Sequence, residues 1–159
     1  MEIELPMRFE DHALMWVVDD VYTPEECAQR VSLIEERAPA RSSVNTGYRD
    51  QDRVMIDDHA AAADLFTRLA PSLPERLGPF ELLRLNERFR YYRYAPGQRF
   101  SPHMDHWYRP SESEITLLTV LVYFNEGFEG GETRFMEQAE AVVEPKPGAR
   151  GDLPAQDPA

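Results

Sequence analysis

The residues of this chain whose types and spacing could do chemistry are His103 and Asp105. In extended backbone, residues i and i+2 face the same side. One neutral imidazole nitrogen and one carboxylate oxygen can then meet on a single metal ion. A second histidine would complete a facial set of two imidazoles and one carboxylate, leaving the opposite positions of an octahedron open. The chain has four histidines, His12, His59, His103 and His106. Apart from the adjacent His106, none follows Asp105. Taken alone, His-x-Asp is a motif of low specificity and reads equally well as a polar turn.

The elements that must position the pair begin with residues 85–94. Phe89, Tyr91 and Arg93 alternate with Arg88, Arg90, Tyr92 and Tyr94. A period of two predicts a strand with two different faces. Ala95-Pro-Gly-Gln98 breaks it with turn chemistry, and Phe100 and the His-x-Asp pair follow. Residues 107–114 read as a polar loop. Residues 115–124 are the most apolar stretch, rich in β-branched side chains, and predict a central strand. The paired Gly130 and Gly131 predict a tight turn with positive φ. Short strands are expected at 129–135 and 141–146, and a turn at Pro147-Gly148.

Upstream, residues 13–18 predict a short strand. Thr23-Pro24-Glu25-Glu26 is a helix start, with a capping threonine, proline at the first helical position and a capping box closed by Glu26. That helix should run to about Arg37, with Cys27, Val31 and Ile34 as its apolar stripe. Residues 42–53, with Asn45, Gly47, Tyr48, Arg49 and Arg53, read as a loop that either closes over a site or is a solvated connection. Val54-Met-Ile56 predicts a brief strand. Asp57-Asp58 caps a second helix over roughly 60–69, with Leu65, Phe66 and Leu69 inward. Residues 74–79 form a turn-rich link. The tail from Arg150 has two prolines, two acids and no β run, so it is expected to be unpacked.

Composition bounds the partners. At 159 residues the chain is one domain by the length prior. We divide it into an N-terminal helical and strand portion (1–84), a β core (85–148) and an irregular tail (149–159). A net charge of −12 repels phosphate backbones and anionic membranes, so neither nucleic acid nor a membrane is expected as partner. The single cysteine, Cys27, cannot form an intramolecular disulfide, which fits a reducing cytoplasmic compartment. No stretch approaches a membrane span of about 20 apolar residues.

Five elements in order then carry a resemblance: Tyr94-x-Pro-Gly, His103-x-Asp105, Leu121-Val-Tyr-Phe-Asn125, Gly130-Gly-Glu-Thr-x-Phe135 and Pro145-x-Pro-Gly148. Residues 85–148 resemble the prolyl 4-hydroxylase-type Fe(II)/2-oxoglutarate-dependent dioxygenases. The resemblance implies a mostly β fold with N-terminal helices (α+β), a double-stranded β-helix or jelly roll. It implies Fe(II) as metal, 2-oxoglutarate as cosubstrate and ascorbate as an auxiliary cofactor. It also implies an oxidoreductase that hydroxylates a prolyl or small-molecule C–H bond, with succinate and CO2 as coproducts. Carried over by position, His103 and Asp105 become metal ligands. Tyr94 resembles the tyrosine near the iron and cosubstrate, and Tyr123 the one that hydrogen-bonds the distal carboxylate of 2-oxoglutarate. Both tyrosines read alternatively as half-buried strand residues with paired hydroxyls. Phe100 stands where relatives carry Tyr, and His106 reads as a surface or supporting residue.

The sequence departs from the family pattern after Gly148. The family places a distal His beyond this turn and, about ten residues later, an Arg or Lys that pairs with 2-oxoglutarate. Neither is present here. With permitted codons, residues 151–159 read in a shifted frame as Gly-Thr-Phe-Gln-His-Arg-Ile-Leu, a strand of the family type. The expectation is therefore an incomplete β-helix, impaired by a truncated or frameshifted C-terminus, that binds iron weakly. The alternatives are a non-catalytic β-helix binding module and a site completed by another chain, as in a homodimer joined through open sheet edges.

Overall fold

In a computed structural model, residues 15–41, 47–135, 141–148 and 150–154 are described; His12, Asn45 and the start of the predicted first strand lie outside them. The chain opens with strand β1 (Val17–Val18) and helix α1 (Pro24–Glu36). The α1 start is the capping box expected from the sequence. Thr23 Oγ1 accepts from the Glu26 backbone N–H at 3.2 Å, and the Glu26 carboxylate accepts from the Thr23 N–H at 2.8 Å. Strand β2 (Ala40–Arg41) leads to β3 (Asp52–Asp57), and helix α2 (His59–Leu69) starts at the Asp58 cap, whose Oδ1 accepts from the Ala61 N–H at 2.9 Å. The link expected at 74–79 is a small hairpin, β4 (Arg76–Leu77) and β5 (Phe80–Glu81). Then come β6 (Arg88–Arg93), β7 (Leu118–Val122), β8 (Thr133–Phe135), β9 (Ala141–Val143) and β10 (Arg150–Pro154).

All pairings are antiparallel. One sheet has the order β1-β10-β7 and a second the order β2-β3-β6; β4-β5 and β8-β9 are two-stranded. Among the described residues these sheets do not close into a jelly roll. β3 is longer than Val54-Met-Ile56 predicted. The charges that hid its ends pair across the sheet: Asp57 with Arg88 at 2.8 Å and Asp52 with Arg93 at 2.7 Å. β7 is shorter than the ten-residue apolar run.

The largest correction concerns the tail. Instead of lying unpacked, Arg150–Pro154 is the middle strand of its sheet, paired to Val17–Val18 on one side and to Leu118–Val122 on the other. Backbone groups of two waiting edges outweigh the poor β propensity of the Arg-Gly-Asp-Leu-Pro sequence. Its proline sits at the strand end, where a missing N–H disturbs the ladder least.

The core lies where α1 and α2 cover the sheets. Val21, Tyr22, Cys27, Leu65 and Leu69 form the buried cluster, with Leu85, Phe89, Val120, Val122 and Phe124 packed on it. Cys27 is 1% exposed and burial raises its thiol pKa, so it is a core thiol. Arg68 ties the two helices, meeting Glu26 at 2.7 Å and donating to the Val21 carbonyl at 3.0 Å. Gly148 locks the far end of the chain onto this core. Its N–H donates to the Tyr123 carbonyl at 2.8 Å and its own carbonyl accepts from Val21 at 3.1 Å. With φ +73° and the Tyr22 carbonyl oxygen 2.6 Å from where a Cβ would stand, only glycine fits. Gly130 and Gly131 both take φ +79°, as their turn requires.

Candidate metal site

The site grows out of β6 by an interruption. The β3-β6 ladder pairs Asp52 with Arg93, and it resumes at a bridge between Arg49 and Phe100. Three positions separate the paired residues on one strand and seven on the other. Four extra residues, Ala95 through Gln98, are therefore looped out. Gly97 at φ +83° makes the turn, the Gln98 N–H donates to the Ala95 carbonyl at 3.0 Å, and the Gln98 side chain accepts from the Ala95 N–H at 2.7 Å. Gln98 Nε2 also donates to Asp50 at 3.1 Å, which pins the loop against the neighbouring strand. Beyond it the ladder closes again, with the Asp50 N–H on the Arg99 carbonyl and the Ser101 N–H on the Tyr48 carbonyl, both at 2.9 Å. The chain then leaves the sheet at Pro102 and presents His103.

His103 and Asp105 come together. His103 Nε2 lies 3.4 Å from Asp105 Oδ1, with side chains 28% and 37% exposed. His103 Nδ1 is 2.9 Å from the Ser101 carbonyl oxygen. A carbonyl has no proton to give, so the network assigns the proton to Nδ1 and leaves the Nε2 lone pair free. That is the state of a metal-ligating histidine whose other nitrogen is held by a backbone oxygen. A lone pair and a carboxylate at this distance repel one another unless a cation lies between them, and a second ring proton answers the same need in the absence of metal. Two bonds of about 2.1 Å across 3.4 Å subtend about 110° at the ion; closing the pair by about 0.4 Å gives the right angle of an octahedron.

The imidazole is also braced on its face. It stacks on Phe100 at 3.7 Å between centroids and 19° between planes. Phe100 in turn carries the Arg49 guanidinium at 4.1 Å and the edge of Tyr48 at 5.6 Å. The pair fits two adjacent corners of a metal site. Among the described residues no group of three His, Cys, Asp or Glu side chains could hold an ion. His106 is exposed, and His59 sits at the start of α2.

The two tyrosines lie on a second side of the site. The Tyr94 hydroxyl donates to Gln51 Oε1 at 2.7 Å, and Gln51 is 0% exposed. Tyr94 itself is 47% exposed, but the exposed part is the flank of the ring, while the hydroxyl end reaches inside. Burial pushes its pKa up to about 12, helped by Tyr92 and Tyr123 and opposed by Arg49. Tyr123 hydrogen-bonds the Thr133 hydroxyl, and its pKa is likewise raised by burial. Both phenols are thus paired within the protein. Arg49 links the two sides: it acts on the Tyr94 phenol and rests on the ring that supports His103.

Arg49 and Gln51 are the residues that sequence reasoning missed, having read 42–53 as a loop. Their i, i+2 spacing was the available signal, since it places both on one face of an extended segment. Each keeps a buried donor without a partner among the described residues, Arg49 Nε and Gln51 Nε2. Leaving such a donor unpaired costs about 1–3 kcal/mol. Two grooves, of about 400 Å³ beside Phe128 and Val142 and about 430 Å³ beside Phe66 and Leu82, lie elsewhere and include none of these side chains.

Comparison with known proteins follows the same boundaries. Residues 89–152 match the 2OG-Fe(II) oxygenase superfamily. The fold is similar to that in a crystal structure of a Pseudomonas putida prolyl-4-hydroxylase, with a TM-score of 0.56 and 18% sequence identity over 89% of this chain and 81% of that one. No curated protein sequence matches the chain.

Proposed function

We propose, for a chain that belongs through residues 89–152 to the 2OG-Fe(II) oxygenase superfamily, that it is a dioxygenase of the prolyl-hydroxylase type acting on a prolyl or small-molecule C–H bond. The observation that carries this reading is the His103–Asp105 pair, with Nε2 free and Oδ1 3.4 Å away. Fe(II) with 2-oxoglutarate supplies the oxidising chemistry of this family, yielding succinate and CO2, and ascorbate serves as auxiliary reductant. The chain's own residues do the rest. Ser101 holds the proton on Nδ1, so that Nε2 stays a ligand. Phe100 limits the swing of the imidazole. Tyr94, held protonated at neutral pH by its raised pKa of about 12, works as a neutral hydroxyl and brings no second negative charge near Asp105. Tyr123 is neutral for the same reason.

A second reading is favoured by the lack of a third ligand among the described residues: a non-catalytic β-helix module, or a site that another copy completes through the outer edges of β6 and β7. No helix of the described residues is long and apolar enough to cross a membrane. The charge balance and the buried, unpaired Cys27 support a cytoplasmic protein that avoids nucleic acid and membranes.

An anaerobic titration of the full chain with Fe(II) and 2-oxoglutarate, run beside His103→Ala, tests the reading. Saturable binding lost in the variant, with succinate formed once O2 is admitted, is the expected result. Binding no tighter than that of the variant sinks the oxygenase reading in favour of the module. A dimer mass by light scattering, combined with binding, favours the shared site.

A further inference from the structure

We propose that Arg49 and Gln51 form a carboxylate-binding pair on the inner side of this site, where the acid group of a ligand is anchored. The proposal deepens the functional reading above and rests on it for the identity of the site, but the donors stand on geometry alone.

Residues 48–51 continue β3 as an extended segment against 99–101. Side chains therefore alternate. Asp50 and Asp52 face the side where Gln98 and Arg93 donate to them, at 3.1 and 2.7 Å. Arg49 and Gln51 share the other side with Phe100 and Tyr94. There the guanidinium lies 4.1 Å over the Phe100 ring, and Gln51 Oε1 is taken by the Tyr94 hydroxyl at 2.7 Å. What remains is two buried donors, Arg49 Nε and Gln51 Nε2, with no acceptor among the described residues. Gln51 is 0% exposed, so bulk water does not satisfy it.

The chemistry of the missing partner follows from this set. Two N–H donors exclude a cation. One of them carries a formal charge, and a neutral ligand leaves that charge uncompensated. A carboxylate brings one negative charge and two acceptor oxygens, one for each donor. A phosphate brings a second negative charge close to Asp105 in a chain whose net charge is already −12, so a carboxylate fits better. Phe100 touches both Arg49 and His103, which leaves a ligand held by Arg49 one aromatic ring away from the metal-ligand pair. The acid group comes either from 2-oxoglutarate or from the substrate.

The test is calorimetry and saturation-transfer NMR on the metal-free full chain, with 2-oxoglutarate and N-acetylproline as probes and 2-oxobutyrate as the analogue lacking the distal acid. At least one probe is expected to bind, and Arg49→Gln to weaken it by about tenfold to a hundredfold, the range for losing a charge-assisted contact. Should Arg49→Gln not fold, Gln51→Leu carries the same test, with a loss of about tenfold. Probe competition that disappears in the variant identifies which acid the pair serves. Unchanged affinity in a folded variant, or no carboxylate bound by the unaltered chain, overturns the proposal. Because no metal is present, His103→Ala should leave this binding intact. A chain that takes carboxylates but no iron therefore refutes the oxygenase reading while upholding the carboxylate pair.

Discussion

The helical layer and the ligand-bearing stretch are built on different terms. Between Val21 and Tyr91 the chain buries Tyr22, Cys27, Leu65 and Leu69, the last at 0% exposure, and both helices start at well-formed caps. Between Tyr92 and Val142 no described residue is buried. His103 and Asp105 hang from a segment without regular structure, held by a ring stack, one backbone carbonyl and the pinned loop 95–98. The first region gets its stability from area removed from water. The second gets its shape from a few directed polar contacts and leaves donors and lone pairs open. A scaffold that is stable on its own can carry a site that is not fully satisfied until something binds.

Substitutions should expose that contrast, the largest effect first. Leu69→Ala removes a fully buried side chain and should cost about 2–5 kcal/mol in urea denaturation; a cost under 1 kcal/mol would mean that the helical layer is not the stable half. Tyr94→Phe leaves the Gln51 carbonyl oxygen buried without its donor, so a loss of about 1–3 kcal/mol is expected. Its alkaline absorbance titration should also lose the phenolate that appears near pH 12. His103→Ala should change stability by no more than about 0.5 kcal/mol, because the ring is partly exposed and makes one backbone contact. A large destabilisation there would instead make the stack on Phe100 a structural element.

The smallest effect concerns pH and lies in the helical layer. The Arg68 guanidinium, together with the Thr23 N–H, holds the Glu26 carboxyl at about 2, below its ordinary 4.5. A depressed carboxylate stabilises the fold above its unfolded value. That contribution should fade as pH falls from about 4.5 and be gone below about 2. Thermal melts of the parent chain should drop towards those of Glu26→Gln across this window. Parallel curves would show that the exposed pair contributes nothing, as many surface pairs do.

Local chemistry was legible where a residue type has one dominant use. Thr23 with Glu26, Asp58, the glycines at 130 and 131, the alternation of 88–93 and the His103-x-Asp105 spacing all declared themselves. β3 was read too short because Asp52, Arg53 and Asp57 look like loop residues until their cross-strand arginines are known. Arg49 and Gln51 were hidden for a related reason. Their partners Phe100 and Tyr94 come into register only after four residues are looped out, an event that no local pattern records. β10 was misread because its pairing is decided by two distant edges and not by its own side chains.

That last strand also fixes an order of events during synthesis. Val18 and Arg150, which pair, are 132 positions apart, and β7 depends on the same strand. As the chain leaves the ribosome, both outer strands emerge long before the one that joins them. α1, α2 and the β3-β6 ladder, made of nearer neighbours, can assemble meanwhile. The sheet that joins the beginning of the chain to its end is therefore the last to close, and until it does, β1 and β7 offer bare edges to any other strand in reach.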